Sequence, residues 1–333
     1  MRRCCPAFGG WIRMSVTRYT GTMVLAAVVM CVMAWPTTAS AQSAAGLVDR
    51  ADAKRHSGQY IEAINDYTLA LDQEPANVTA LFGRAEAKRR SGDYFGAIDD
   101  YTQVLNQQPD AVPALVGRGI AKARANDEVG AINDYTRAVQ LDPDNVAAYY
   151  NRAITRARRG DDRGASADYT EVLKLQPNNP RVYYARGLLK KQWNDFRGAQ
   201  ADYSKAIELD PNFVEPYYAL GVLLSETGQH DQAVIAFSKA VELRPTYAEA
   251  YIDRGDAKEH INQFETAISD YSQGLKLNPK ISRGYHYRGF ARLRTGDVVG
   301  AVKDFTSAID LDPNNVELYQ ARAAAREQQQ DYI

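Results

Sequence analysis

The sequence predicts an all-α solenoid of eight 34-residue helix–turn–helix repeats followed by a C-terminal capping helix, and three observations carry that prediction. Prolines stand at Pro75, Pro109, Pro143, Pro177, Pro211, Pro245, Pro279 and Pro313, spaced by 34 throughout. Gly58, Gly92, Asn126, Gly160, Asn194, Gly228, Asn262 and Gly296 keep the same spacing. Gly and Asn are the residue types that tolerate the left-handed backbone ending a helix. Ala63, Ala97, Ala131, Ala165, Ala199, Ala233, Ala267 and Ala301 recur in the same way. A fixed period of roughly 20–50 residues marks a stack of like supersecondary units.

Taking each proline as position 32 places the repeats at 44–77, 78–111, 112–145, 146–179, 180–213, 214–247, 248–281 and 282–315, with a half-repeat over 316–330. The first helix of each unit ends at the Gly or Asn of position 15. The second helix ends before the proline, and the Asn or Asp that usually follows caps the next unit. Position 8 is always Ala or Gly, as at Ala51, Gly119, Gly187, Gly221 and Gly289. A glycine inside a helix costs about 0.5–1 kcal/mol relative to alanine, so its recurrence predicts a close approach between the two helices. Position 24 is aromatic in all eight units, from Tyr67 to Phe305, and position 28 is aliphatic, from Leu71 to Ile309. That i, i+4 pair is the stripe the second helix buries. The half-repeat turns polar at "REQQQD", as suits the end of a stack.

Small residues at positions 8 and 20, aromatics at 4, 17 and 24, and proline at 32 over a 34-residue period resemble the tetratricopeptide repeat, across residues 44 to about 330. The resemblance implies a right-handed solenoid whose first helices build a concave surface around positions 2, 5, 6, 9, 12 and 13, used to bind protein. One position departs from the family. Position 7, usually Leu there, is Arg50, Arg84, Arg118, Arg152, Arg186, Arg254 and Arg288, and Arg322 in the half-repeat. Position 23 is Asp66, Asp100, Asp134, Asp168, Asp202, Asp270 and Asp304. In repeat six both are absent, replaced by Leu220 and Ala236. Joint loss predicts that the two residues pair between the helices of one repeat, with an apolar contact substituting in repeat six; pairing to the preceding repeat is the alternative, because Arg322 has no second helix of its own.

Ahead of the repeats, Arg2, Arg3, Arg13 and Arg18 precede the uncharged run "GTMVLAAVVMCVMAW" and an Ala39-Ser40-Ala41 site. This is the pattern of an export leader over residues 1–41, cleaved before Gln42, with Met14 an alternative start. The apolar run falls short of the roughly 20 residues that span a bilayer. Cys4, Cys5 and Cys31 all lie in the leader, so a mature chain from Gln42 has no cysteine for a disulfide, a thiol nucleophile or a zinc–thiolate site. In a double-membrane bacterium the expected location is the periplasm.

Chemistry is sparse. The chain carries 40 Lys and Arg against 41 Asp and Glu, which is not the basic footprint of a nucleic-acid binder. His56, His230, His260 and His286 lack metal-ligand spacing and are expected to be solvated at the surface. Phosphate-loop and nucleophile-elbow motifs are absent, and no catalytic residue, cofactor or metal is expected. The candidate site is instead the first-helix groove. Its expected floor is Val116, Ile120, Tyr150, Ile154, Tyr184, Leu188, Tyr218 and Val222, and its basic rim Arg89, Arg90, Arg124, Arg158 and Lys191, giving way to Glu226 and Glu259. A polarised rim around tyrosines suits an extended peptide or partner helix. The chaperone-tail clamp of some family members needs Lys at position 5 and Asn at position 9, where this chain has Val48 and Asp52, then Phe82 and Glu86. The expected function is a non-enzymatic scaffold or assembly factor of the cell envelope; the alternative is a constitutive subunit of an envelope complex or a self-assembling oligomer.

Overall fold

The computed structural model describes residues 43–331, and all regular structure in them is α-helical. The expected leader and its cleavage site lie outside the described residues. First helices begin at position 1 of every repeat: α1 (Ala44–His56), α3 (Val78–Ser91), α5 (Val112–Arg124), α7 (Val146–Arg158), α9 (Pro180–Gln192), α11 (Val214–Glu226), α13 (Ala248–His260) and α15 (Ser282–Arg294). Second helices are α2 (Tyr60–Gln73), α4 (Tyr94–Gln107), α6 (Glu128–Leu141), α8 (Asp162–Leu175), α10 (Phe196–Leu209), α12 (His230–Leu243), α14 (Phe264–Leu277) and α16 (Val298–Leu311), and α17 (Val316–Asp331) is the half-repeat. The described residues divide into two compact units, one ending at Ala114 and one beginning at Leu115.

The turns form for the reason the sequence suggested. All eight position-15 residues have positive φ, from +60° at Asn262 to +94° at Gly92. A second device follows each turn in five repeats. Asp93, Asp127, Asp161, Asp195 and Asp297 cap the second helix by accepting from the N–H of Gly96, Gly130, Gly164, Gly198 and Gly300. Asn77, Asn145 and Asn179 cap first helices in the same way.

Within each unit the helices close on the position-24 ring. Those rings are buried in all eight repeats, and the position-20 alanines are fully buried beside them. A Cβ built on Gly119, Gly187, Gly221, Gly255 or Gly289 would stand 2.6–2.7 Å from the ring of its own repeat. The ring occupies the place of the missing methyl, which explains the recurring glycine.

The arginine–aspartate ladder is local, as joint loss predicted. In repeat two Arg84 Nε and Nη2 donate to Asp100 at 2.9 and 2.8 Å. In repeat four Arg152 does the same to Asp168 at 2.9 and 2.7 Å. The remaining nitrogen reaches back one repeat: Arg84 to Thr68, Arg152 to Thr136, Arg186 to Thr170, Arg254 to Ser238 and Arg288 to Ser272, at 3.0–3.2 Å. A second cation at position 11 also meets each aspartate, from Lys54 on Asp66 to Arg292 on Asp304. Repeat six drops all three charges. Leu220, Leu224 and Ala236 pack there in one apolar cluster with Phe237. Arg322 of the half-repeat lies over the Tyr319 ring.

Candidate partner-binding surface

In the second unit α9, α11, α13 and α15 each touch the next. Side chains from their shared face bridge repeats. The Tyr218 hydroxyl donates to Asp253 Oδ2 at 2.6 Å, and Asp253 Oδ1 accepts from Arg283 at 2.5 Å. Lys191 donates to Glu226 at 2.7 Å in the same way, whereas Arg244 and Glu215, joined at 2.5 Å, belong to one repeat, as do the members of each aromatic pair beside them. The Tyr184 ring meets Phe213 edge-on at 5.4 Å, Tyr218 lies 4.7 Å from Tyr247, and the Arg244 guanidinium sits 5.2 Å above Tyr247. Burial, and then the Asp253 charge, hold the Tyr218 phenol above its ordinary range, while burial pushes Tyr247 up to about 12.

The eight residues of the expected floor fall into two kinds. Val116, Ile120, Tyr150, Ile154, Tyr184, Tyr218 and Val222 are half-buried. Ile120 packs on Ala131 and Tyr135, Tyr150 and Ile154 on Tyr169 and Leu173, and Tyr184 on Tyr203. Of these seven, all but Val116 pack on buried clusters of the stack while keeping an accessible edge. Leu188 is different, at 43% exposure. On the rim Arg90, Arg124 and Arg158 are exposed, Lys191 is tied to Glu226, and Arg89 is held at 2.6 Å by Glu86.

Two histidines correct the expectation of solvated rings. His230 stacks on His260 with centroids 4.3 Å apart and planes at 11°, and its buried Nδ1 has no hydrogen-bond partner. Position 17 of one repeat meets position 13 of the next, a contact that spacing along a single helix does not disclose. His286 lies among Tyr287, Phe290 and Phe305, and burial lowers its pKa.

Sequence reasoning placed Glu259 at the acidic end of the rim but missed the two aspartates beside it on α13. Asp253, Asp256 and Glu259 occupy positions 6, 9 and 12 of repeat seven, where the apolar stripe of repeats three to six stops. The signal was available as a break in the period. Among the described residues no cluster of three metal-ligating side chains could hold an ion, and no helix is long and apolar enough to cross a membrane.

Paired antiparallel helices, ring-into-glycine packing and a side-chain face that spans successive first helices define an α-helical repeat protein. The chain belongs to the tetratricopeptide-repeat family: four models of that repeat match residues 48–112, 129–160, 203–235, and 180–213 together with 248–281. Among solved structures, the C-terminal part of a tetratricopeptide-repeat protein from Cytophaga hutchinsonii is 16% identical, with a TM-score of 0.64 over 72% of this chain and 98% of that one. A tetratricopeptide-repeat protein from Parabacteroides merdae is 21% identical, with a TM-score of 0.53 over 75% and 98%. YrrB, described as having an unusual peptide-binding site, is 19% identical, with a TM-score of 0.51 over 56% and 96%. These are likenesses of fold. A search of curated proteins finds no match.

Proposed function

We propose that this chain is a non-enzymatic scaffold or assembly factor that binds an extended peptide or partner helix on the first-helix face of repeats three to eight. One observation carries the reading. Polar and aromatic groups that follow the 34-residue period pair within the stack, as the ladder does. Groups that break it, Asp253 and Asp256 among them, lie on this one face beside Tyr184, Tyr218 and the exposed Leu188. Packing demands repeat with the fold, so departures from the period mark what the fold does not need. The tyrosines and the exposed leucine offer rigid apolar area beside charge, the mixture that protein interfaces favour. The leader pattern of residues 1–41 supports a periplasmic setting.

The test is photo-crosslinking from Leu188 and, separately, Tyr184, each replaced by a photoreactive residue. One dominant adduct that disappears when Arg158→Glu or Tyr218→Ala is introduced supports the reading. Adducts only between copies of this chain, with a concentration-dependent sedimentation coefficient, would replace it by self-assembly.

A further inference from the structure

We propose that a pocket between repeats seven and eight receives an arginine side chain of the protein partner, in the place that repeats one and two fill with an arginine of their own. The inference rests on the partner-binding reading above and adds the chemistry that the partner must present.

The internal comparison carries the argument. In repeat one an acid at position 9, an arginine at position 12 and the tyrosine at position 24 form a closed triad. Arg55 Nη2 donates to Asp52 at 2.7 Å, Arg55 Nε to the Tyr67 hydroxyl at 3.1 Å, and that hydroxyl to Asp52 at 2.6 Å. Repeat two repeats the device: Arg89 Nη2 donates to Glu86 at 2.6 Å, and the Tyr101 hydroxyl donates to Glu86 as well. The frame therefore holds a guanidinium twice within this chain.

Repeat seven keeps the acid and the tyrosine but changes the third member. Position 9 is Asp256, position 24 is Tyr271, and position 12 is Glu259, whose Oε2 accepts from the Tyr271 hydroxyl at 3.0 Å. Two carboxylates now stand where a carboxylate and a guanidinium stood. Among the described ion pairs neither reaches a Lys or Arg; the nearest partner there is the His260 imidazole, with Nε2 3.9 Å from Asp256 Oδ1. A cavity of about 410 Å³ opens beside them, walled by Tyr287, Phe290 and Arg294. Arg294 lines the same pocket and its charge reaches Glu259, but its guanidinium lies 5.0 Å above the ring of Phe264 and makes no described ion pair with either carboxyl. Burial holds both carboxyls above their ordinary range, the reverse of Asp52 and Glu86, where the bonds from the tyrosine and the arginine together prevail.

Stacking does not demand this arrangement. Position 9 of the other repeats in the second unit is apolar, at Ile120, Ile154, Leu188, Val222 and Phe290. A planar guanidinium suits the site better than an ammonium: it can accept the geometry of two carboxylates at once and lie against the Tyr287 and Phe290 faces. The pocket lies at the same first-helix positions as the proposed partner surface, so a side chain of the bound segment reaches it directly.

The experiment uses the full chain and two probes, acetyl-arginine methylamide and its neutral isostere acetyl-citrulline methylamide, with the thermal midpoint as readout. The arginine probe is expected to raise the midpoint saturably, with the citrulline probe at least about tenfold weaker. Asp256→Asn and Glu259→Arg should each abolish the difference. Glu259→Arg restores the frame of repeats one and two, so its own midpoint should rise, which shows that it folds. Equal effects of the two probes, or a difference that survives in both variants, would overturn the proposal. The partner-surface reading fails separately. If the Leu188 adduct persists unchanged in Glu259→Arg, the surface binds without this pocket and the proposal alone falls; if the arginine effect holds but Leu188 captures nothing, the pocket stands and the surface reading falls.

Discussion

Leu220 stands sixteen residues before Ala236, at the two positions where every other complete repeat sets an arginine against an aspartate at hydrogen-bond distance. Leu224 completes the exchange by replacing the position-11 cation. Restoring one charge alone therefore buries it without a partner. Ala236→Asp should lower stability by about 3–5 kcal/mol, and Leu220→Arg by less, because the longer side chain can lift its head toward solvent. The double change should recover part of the loss. Urea unfolding of the two single variants and the double variant checks the coupling, and strict additivity would contradict a local pair.

The ladder should not be uniform in strength. Asp168 is buried and accepts from both Arg152 and Arg156, whereas the Arg50 side chain opposite Asp66 is 48% exposed. Asp168→Asn leaves two guanidinium groups short of charge in a buried setting and should cost about 3–5 kcal/mol. Asp66 is itself buried and also meets Lys54, but Arg50 can turn its head to water, so Asp66→Asn should cost less, about 1–3 kcal/mol. Hydrogen exchange read repeat by repeat would separate the two, because a stack of this kind opens locally.

Gly221→Ala is expected to cost about 1–3 kcal/mol, since the new methyl would lie 2.6 Å from the Phe237 ring. Gly228→Ala meets no neighbour within 4 Å, yet its φ of +76° should make it cost about 1 kcal/mol through backbone strain alone. Combining each with Phe237→Leu distinguishes the causes in thermal melts: the smaller side chain should reduce the penalty at Gly221 and leave that at Gly228 untouched.

Carboxylates at the same position in different repeats should respond oppositely to pH. At Asp52 burial raises the pKa, but bonds from Tyr67 and Arg55 outweigh it and the net shift is downward. Its contribution is present above the unfolded carboxyl pKa and is lost as pH falls through the folded value. Burial prevails at Asp256 and the shift is upward, so favourable linkage exists below the unfolded pKa and disappears as pH rises through the folded one. Asp52→Asn should therefore lower the midpoint at neutral pH and Asp256→Asn should raise it. Both differences should shrink below about pH 4, where ordinary carboxyls protonate.

The repeat frame was legible in the sequence because each of its demands recurs. A left-handed turn needs Gly or Asn, and a ring pressed against a helix needs a small residue opposite. Pairing of position 7 with position 23 became readable through the one repeat that lacks it. The position-11 cation was equally periodic but went unread, since a basic residue near a helix end has an ordinary dipole explanation. The histidine stack and the acidic pocket were hidden for another reason. They arise where successive repeats meet, and a period measured along one unit does not report which side chains face each other across that seam.

The back-bond from Arg84, Arg152, Arg186, Arg254 and Arg288 to the Thr or Ser of the preceding repeat has a mechanical meaning. It is directional, so it fixes the angle and register at which one repeat rests on the next. Repeat six has Leu220 in place of that donor, and Ser204, the corresponding residue of repeat five, receives no such bond from it. Contact between greasy surfaces resists separation but hardly resists sliding or twisting. The join between repeats five and six lacks that key and rests on apolar contact with the Lys191–Glu226 pair beside it, and it falls between Tyr184 and Tyr218, the two tyrosines that a bound segment would have to span.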